Sequence, residues 1–454
     1  MAGNQRRSHH PPAAVAALVA VLLACAAPQP ATTPPAPAPS VMPATPASSP
    51  PGATVAPVPA SPPAGTAEPT APVAASPSPG AVPQAWEYIG ADFPLGAAIE
   101  ISALVATDSG FVAVGYEPLD GEDVFGLRQG IVWRSADGRS WQRSAPADLL
   151  HVTPLAMASF EGQLYIGGTL SSCPLLSDVG CDEPPEAGNA VWRSVDGASW
   201  QRLDVPETLG QGLIDGMVVG AGQLAIHGGE GDAFTATVWL TSDGLAWAEQ
   251  RQLGGPEPIS VLHGDAAGFV AFGTRYDEGL DAVEVVASRS ADGMPFEPAS
   301  VPAGIDATVE GVAFDGRRYV AVGHGGDEHD GTLVPITLIS LDGRDWRLAE
   351  VGPEMAGAGL RRIAAVPDGL IAIGFYPESG DSIRDLGYTW FSDDGESWRP
   401  IGPLAGAEYS QLSGVAHDGR TIVVTAVDFD APDDDDPYST VHVWVASLAA
   451  LTIR

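Results

Sequence analysis

Lysine is missing from this chain of 454 residues: all 21 basic residues are arginine, set against 57 Asp and Glu, for a formal net charge of -36. So acidic a balance excludes nucleic acid as a partner, because phosphate backbones are gripped by basic patches. It also disfavours polyanionic substrates, and it suits a solvated surface, a cationic partner or bound ions. Cysteine is almost as scarce, with only Cys25, Cys173 and Cys181. Long hydrophobic runs are absent as well. The longest apolar stretch near the start, Ala13 to Ala24, is too short for a spanning helix, which needs roughly 20 residues. Neither a Ser-His-Asp motif nor a phosphate-binding glycine loop is present.

The first 84 residues have a composition of their own. Arg6 and Arg7 open a basic segment, the apolar run to Ala24 follows, and it closes on Leu22-Leu23-Ala24-Cys25. A basic start and a short apolar core are the marks of a secretory signal peptide. The closing residues resemble the lipobox of bacterial lipoproteins. That resemblance implies removal of residues 1–24, lipidation of Cys25 and anchoring of the exported chain to the outer surface of a cell membrane. Residues 25–84 are almost wholly Pro, Ala, Ser, Thr, Val and Gly. Such a segment buries no core and is expected as a disordered, extended linker. Fully extended, at about 3 Å per residue, it would reach beyond ~100 Å.

Residues 85–454 repeat. Val132-Trp133-Arg134-Ser135-Ala136-Asp137-Gly138-Arg139-Ser140-Trp141 returns as Val191-Trp192-Arg193-Ser194-Val195-Asp196-Gly197-Ala198-Ser199-Trp200. Further copies hold Asp243, Gly244 and Trp247; Ser290, Asp292 and Gly293; Ser340, Asp342, Gly343 and Trp346; and Ser392, Asp394, Gly395 and Trp398. Successive Asp residues lie 59, 47, 49, 50 and 52 positions apart. A second apolar run precedes each copy, beginning with Gly110-Phe111-Val112-Ala113-Val114-Gly115. It occurs a seventh time at Ile422-Val423-Val424, whose repeat keeps Val441-His442-Val443-Trp444 and loses the Asp-Gly turn. Four short β-like runs recurring at about 50 residues mark the blades of a propeller. The expectation is therefore an all-β fold, a seven-bladed β-propeller of four-stranded blades. Trp86-Glu87-Tyr88 would complete the last blade and close the ring.

The turn resembles the Asp box of bacterial sialidases and many other secreted propellers. That motif runs Ser-x-Asp-x-Gly-x-Thr-Trp, and here it is one residue shorter. What the resemblance implies is structural: Asp accepts from turn amides, Gly takes a positive φ, and Trp covers the hairpin. No sialidase catalytic residue transfers. Those enzymes use three arginines and a Tyr–Glu pair, whereas only Leu360-Arg361-Arg362-Ile363 brings Arg to an expected innermost strand.

Loops between second and third strands, and between blades, are expected on the face opposite the Asp boxes. They are acidic in each repeat, as at Asp120, Glu122 and Asp123, or Asp433 to Asp436. Asp92, Asp148, Asp215, Glu257, Asp306, Glu354 and Glu408 stand between blades. This acidic face would meet a protein, a glycan or cations, as a non-catalytic module on a monomeric chain. The alternative is a glycoside hydrolase, which needs two suitably spaced carboxyls. No cofactor is expected. Calcium has weak support from the run Asp428 to Asp436, which lacks the Gly and Glu spacing of an EF-hand loop. Cys173 and Cys181, in the longest insertion, are expected to form a small disulfide in an oxidising compartment.

Overall fold

Each run of alternating residues between Gly and Asp turns forms a β-strand buried on both sides, and four such strands make a blade. In this computed structural model the described residues are 85–90, 93–94, 100–119, 127–170, 188–230, 235–251, 259–277, 282–326, 332–377, 385–405, 411–428 and 440–452. Seven antiparallel four-stranded sheets are present, six of them in simple sequence order. Blade 1 is typical, with strands Glu100–Thr107, Gly110–Pro118, Arg128–Ser135 and Trp141–Ser144 from the inside out. The first strands of blades 2 to 7 are Val152–Phe160, Gly216–Gly220, Ile259–Asp265, Thr308–Phe314, Gly359–Val366 and Gln411–His417.

The seventh sheet closes the ring. Its outermost strand is Glu87–Tyr88, paired antiparallel with Thr440–Ser447. The Tyr88 hydroxyl lies 2.9 Å from His442 Nδ1. Trp86 is buried and donates from its indole to Thr389 Oγ1 of blade 6 at 2.9 Å. The two ends of the propeller are thus locked together by side chains as well as by a two-residue ladder.

The core is divided into seven hydrophobic clusters, each built from two neighbouring blades. The two-residue period of a strand explains this division. On the third strand of blade 1, Trp133 faces blade 7 while Val132 faces blade 2. Trp192 and Val191 divide the same way in blade 2, as do Trp239 and Val238 in blade 3. Four of these third-strand tryptophans also tie the connection that precedes their blade. Trp133, Trp390 and Trp444 donate to the carbonyls of Pro94, Glu354 and Ala405, and Trp239 donates to Thr208 Oγ1.

The Ser-x-Asp-Gly turns close the outer hairpins by one repeated pattern. In blade 1 the Gly138 N–H donates to Ser135 Oγ at 2.8 Å. Those of Arg139 and Ser140 donate to Asp137 Oδ1 at 2.8 and 2.9 Å, and Trp141 Nε1 to the Gly138 carbonyl at 2.8 Å. Asp196, Asp342 and Asp394 repeat the bonds with Ser194, Ser340 and Ser392. Thr241 stands for serine beside Asp243. Blade 4 is the poorest copy, because Pro295 has no N–H for the second bond, and the Asp292 carboxylate receives the Met294 N–H at 3.1 Å and the Ser290 hydroxyl at 3.5 Å.

The turn glycines, all at positive φ, seat each turn on the blade before it. A Cβ added to Gly138 would stand 2.7 Å from Val423 of blade 7, and one on Gly395 2.7 Å from Val320 of blade 5. Long side chains of the preceding blade complete the contact. Arg134 donates to the Asp196 carbonyl at 3.0 Å, and Arg318 to that of Asp394 at 2.6 Å. Exposed ion pairs such as Arg139 with Glu87 at 2.8 Å also run between blades. They contribute little by themselves.

Turn N–H groups hold the carboxyls of Asp137, Asp196, Asp243 and Asp342 below the usual range. For Asp394, burial pulls upward and the Ser397 and Glu396 N–H groups outweigh it. A depressed folded-state pKa stabilises the fold above the unfolded carboxyl's pKa of about 3.9 and loses that effect as pH falls through the lower folded value. The carboxylate share of the thermal midpoint should therefore hold down to about pH 5 and be lost steeply below about pH 4, whereas His227, whose pKa burial lowers to about 4, should start a shallower fall below its unfolded pKa of about 6.5. Trp86→Ala should cost about 3–5 kcal/mol in denaturant unfolding, the range for truncating a buried tryptophan.

Candidate functional site

Antiparallel order places all first-to-second and third-to-fourth turns at one end of the ring. Second-to-third loops and blade connections lie at the other end, the mouth. The Ser-x-Asp-Gly residues belong to the turn end and so stand apart from the mouth.

At the mouth the innermost strands share an irregularity. The register between first and second strands shifts by one residue in six blades, so that it skips Ser102, Leu155, Ser260, Glu310, Arg361 and Ser413. Asp215 takes this place in blade 3: its N–H donates to the His227 carbonyl while Gly216 pairs with that same residue. Bulges re-aim a side chain. The residue just before each of these is buried, as at Ile101, Ile214, Ile259, Val309, Leu360 and Leu412, whereas the bulged residue itself keeps exposed surface. A ring of seven side chains, one per blade, results.

The cause of the bulge is legible in the second strand. Opposite it stands Gly115, Gly168, Gly228, Gly273, Gly323 or Gly374, and in blade 7 Ala426. The bulged strand presses a carbonyl against that glycine. A Cβ on Gly323 would lie 1.9 Å from the Thr308 carbonyl oxygen, and one on Gly374 2.0 Å from that of Gly359. The sequence signal, a Gly closing the second apolar run in six of the seven repeats, was visible, but its partner across the ladder was not.

Charges of both signs flank the ring. In blade 1 the Tyr116 hydroxyl donates to Glu100 Oε2 at 3.1 Å, and the Arg128 guanidinium lies 4.1 Å from the Tyr116 ring centroid. Burial pushes the Glu100 carboxyl up, and the Tyr116 bond and Arg128 offset part of that. In blade 6 the Arg361 guanidinium lies 4.4 Å from the Phe375 centroid, at the strand position that Tyr116 occupies in blade 1. Arg362 is part-buried. Desolvation pulls its pKa down against the support of the nearby Glu310 charge, and its Nη1 donates to the Glu310 carbonyl at 3.3 Å. Burial raises the Asp215 carboxyl. His227, beside Gly216, is lowered by burial to about 4 and is neutral at physiological pH.

The carboxylates expected between blades have several fates. Asp148 and Asp306 accept backbone N–H groups from Trp200 and Val283 at 3.0 and 3.3 Å. Glu354 acts through its carbonyl, which accepts from Tyr376 and Trp390. Asp215 joins the ring. Elsewhere at this end Glu117 pairs with Arg143 and Glu284 with Arg275. Asp92, Glu257, Glu408, the acidic runs Asp120–Asp123 and Asp433–Asp436, and the cysteines Cys25, Cys173 and Cys181 lie outside the described residues. Among the described residues no group of three His, Cys, Asp or Glu is arranged to hold a metal ion. His324 is instead packed edge-on against Phe375 at 5.8 Å.

No protein-family model matches the sequence, and no curated protein does. Solved propellers share the fold at low identity. The polysaccharide lyase Uly1 is 8% identical over 78% of this chain and 91% of its own, with a TM-score of 0.49. The β-propeller domain of the Trilobed protease from Pyrococcus furiosus is 11% identical over 76% and 93%, with a TM-score of 0.48. The Trypanosoma rangeli sialidase is 13% identical over 80% of this chain and 57% of its own, with a TM-score of 0.40. These likenesses concern the fold alone.

If close carbonyl approach sets the ring, Gly323→Ala should lower stability by about 1–3 kcal/mol, the range for overpacking a tight site. Gly210→Ala is the control: its backbone is outside the left-handed region and an added Cβ would meet only the Asn189 carbonyl oxygen, at 3.8 Å, so it should cost less in the same unfolding titration.

Proposed function

We propose that this chain is a lipid-anchored propeller displayed outside the cell, whose mouth binds a polar, hydroxyl-rich ligand such as a glycan without transforming it. The observation that carries this reading is the ring Ser102, Leu155, Asp215, Ser260, Glu310, Arg361 and Ser413. It combines the exposed Ser260, two carboxyls and a guanidinium around one axis, while Ser102 Oγ is buried and Ser413 Oγ donates to Thr425 Oγ1 at 2.9 Å. Such a set offers donors and acceptors to an uncharged polar ligand. Arg361 is held on an aromatic face, so it is pre-organised for hydrogen bonding at little entropic cost. The Ser-x-Asp-Gly turns, which resemble Asp boxes, serve as scaffold in this reading, and Cys25 supplies the anchor.

A second reading is favoured by Asp215, whose carboxyl burial raises. A raised carboxyl suits the general acid of glycoside hydrolysis, and Glu310 is the other carboxyl of the ring.

Both readings are tested by titrating the full chain against a panel of neutral oligosaccharides. Binding should be lost by at least tenfold in Arg361→Ala and in Glu310→Gln, with unfolding midpoints unchanged. Release of reducing ends that Asp215→Asn abolishes would replace the binding reading with the hydrolase. Absence of binding by the whole panel would remove the glycan from both.

A further inference from the structure

An arginine breaks the pattern of the innermost strands one step in from the ring. The residue that follows each ring position is Ala103, Ala156, Gly216, Val261, Gly311, Arg362 or Gly414. Six of the seven are small or β-branched, where neighbouring innermost strands pack closely. A Cβ added to Gly414 of blade 7 would lie 2.9 Å from Leu104 Cβ of blade 1, and one on Gly311 of blade 5 would lie 3.3 Å from Arg362 Cα. Blade 6 alone puts a long, permanently charged side chain at this position. With Arg361 before it, two guanidinium groups stand on one innermost strand of a chain whose net charge is -36.

The partners of Arg362 do not neutralise it. Its Nη1 donates to the carbonyl oxygens of Glu310 and Arg361, at 3.3 and 2.9 Å. The Glu310 charge supports the cation and the Arg361 charge opposes it. Among the described residues no carboxylate forms an ion pair with Arg362. Its Nε and Nη2 donate to nothing among the described residues, and neither is sealed from solvent. A guanidinium held partly out of water without a counter-ion is costly, and this chain has 57 Asp and Glu from which one could have been drawn. The unused atoms also form one edge of the group. Nε–H and the neighbouring Nη2–H point the same way, and a carboxylate accepts such a pair in parallel. Nη1, tied to two carbonyls, holds the guanidinium plane and so keeps that edge in place.

We propose that the Nε–Nη2 edge of Arg362 is a subsite for a single carboxylate that enters through the mouth, with Arg361 as the neighbouring cation. The acidic surface sets a limit on the ligand. A polyanion is repelled along its length, whereas one carboxylate on an otherwise neutral molecule meets two guanidinium groups where it binds. The carboxylate comes from a sugar acid or from a free small acid. A sugar acid as the carrier rests on the glycan reading above and narrows it to glycans with an acidic residue. A free acid needs no such reading.

The test uses the full chain and three probes at constant ionic strength: acetate in place of chloride, a disaccharide carrying one glucuronate, and its glucose counterpart. The glucuronate disaccharide should bind at least tenfold more tightly than the neutral one in titration calorimetry. Arg362→Lys, which keeps the charge and loses the paired N–H edge, should abolish that difference without lowering the unfolding midpoint. A midpoint raised by acetate in the parent chain and not in Arg362→Lys would support the subsite with a free acid as its source, whether or not either sugar binds. Equal binding of the two sugars with no response to acetate would overturn the proposal and leave the glycan reading standing. A preference for the carboxylate, in sugar or in acetate, that survives in both Arg362→Lys and Arg362→Gln would overturn it as well, by placing the anion elsewhere. No response of the parent chain to any of the three probes would overturn it outright.

Discussion

No blade of this propeller owns a core. Each hydrophobic cluster is shared by two blades, so every sheet buries one face against the blade before it and the other against the blade after. A single blade would expose both faces, and an open arc of blades would leave one face bare at each end. Closure is thus a condition of stability. It explains why the N-terminal strand crosses to the last sheet, and why Trp86 is buried between blades 6 and 7.

The contacts between blades are made twice, by different chemistry at each end. At the turn end, glycines at positive φ bring a hairpin down on the preceding blade, and arginines donate to the turn carbonyls. Toward the mouth, third-strand tryptophans bond the incoming connections. With both ends held, the innermost strands can carry a bulge in every blade. The ring of residues skipped by the ladder is the part of the fold free to vary in chemistry, and it varies from Leu155 to Glu310 to Arg361. Scaffold positions repeat because the packing repeats, and ring positions differ because they do not pack.

The same division governs what could be read early. Spacing of the Ser-x-Asp-Gly turns, the seven apolar runs and the stray Trp86-Glu87-Tyr88 were enough for blade number, strand order and closure. Each follows from local rules: alternation, turn amides and the absence of a Cβ. The ring was not legible. Leu155, Asp215, Glu310 and Arg361 share no residue type with one another or with the three serines of the ring, so no motif could align them. What aligns them is a register shift, visible only once the first strand is laid against the second.

Sequence alone therefore determined the repeat, the seven-bladed closure and the separation of a low-complexity N-terminal segment from the propeller, because those properties are written in periods and in composition. Tertiary structure decided which residues line the mouth, that the Asp148 carboxylate accepts the Trp200 N–H while Glu354 is held through its carbonyl by Tyr376 and Trp390, and that the first strand, Glu87–Tyr88, starts at the ring of turns. Those outcomes depend on which carbonyl meets which glycine across a ladder, and on which end of a ring a strand begins. These are relations between segments distant in sequence, and no single segment encodes them.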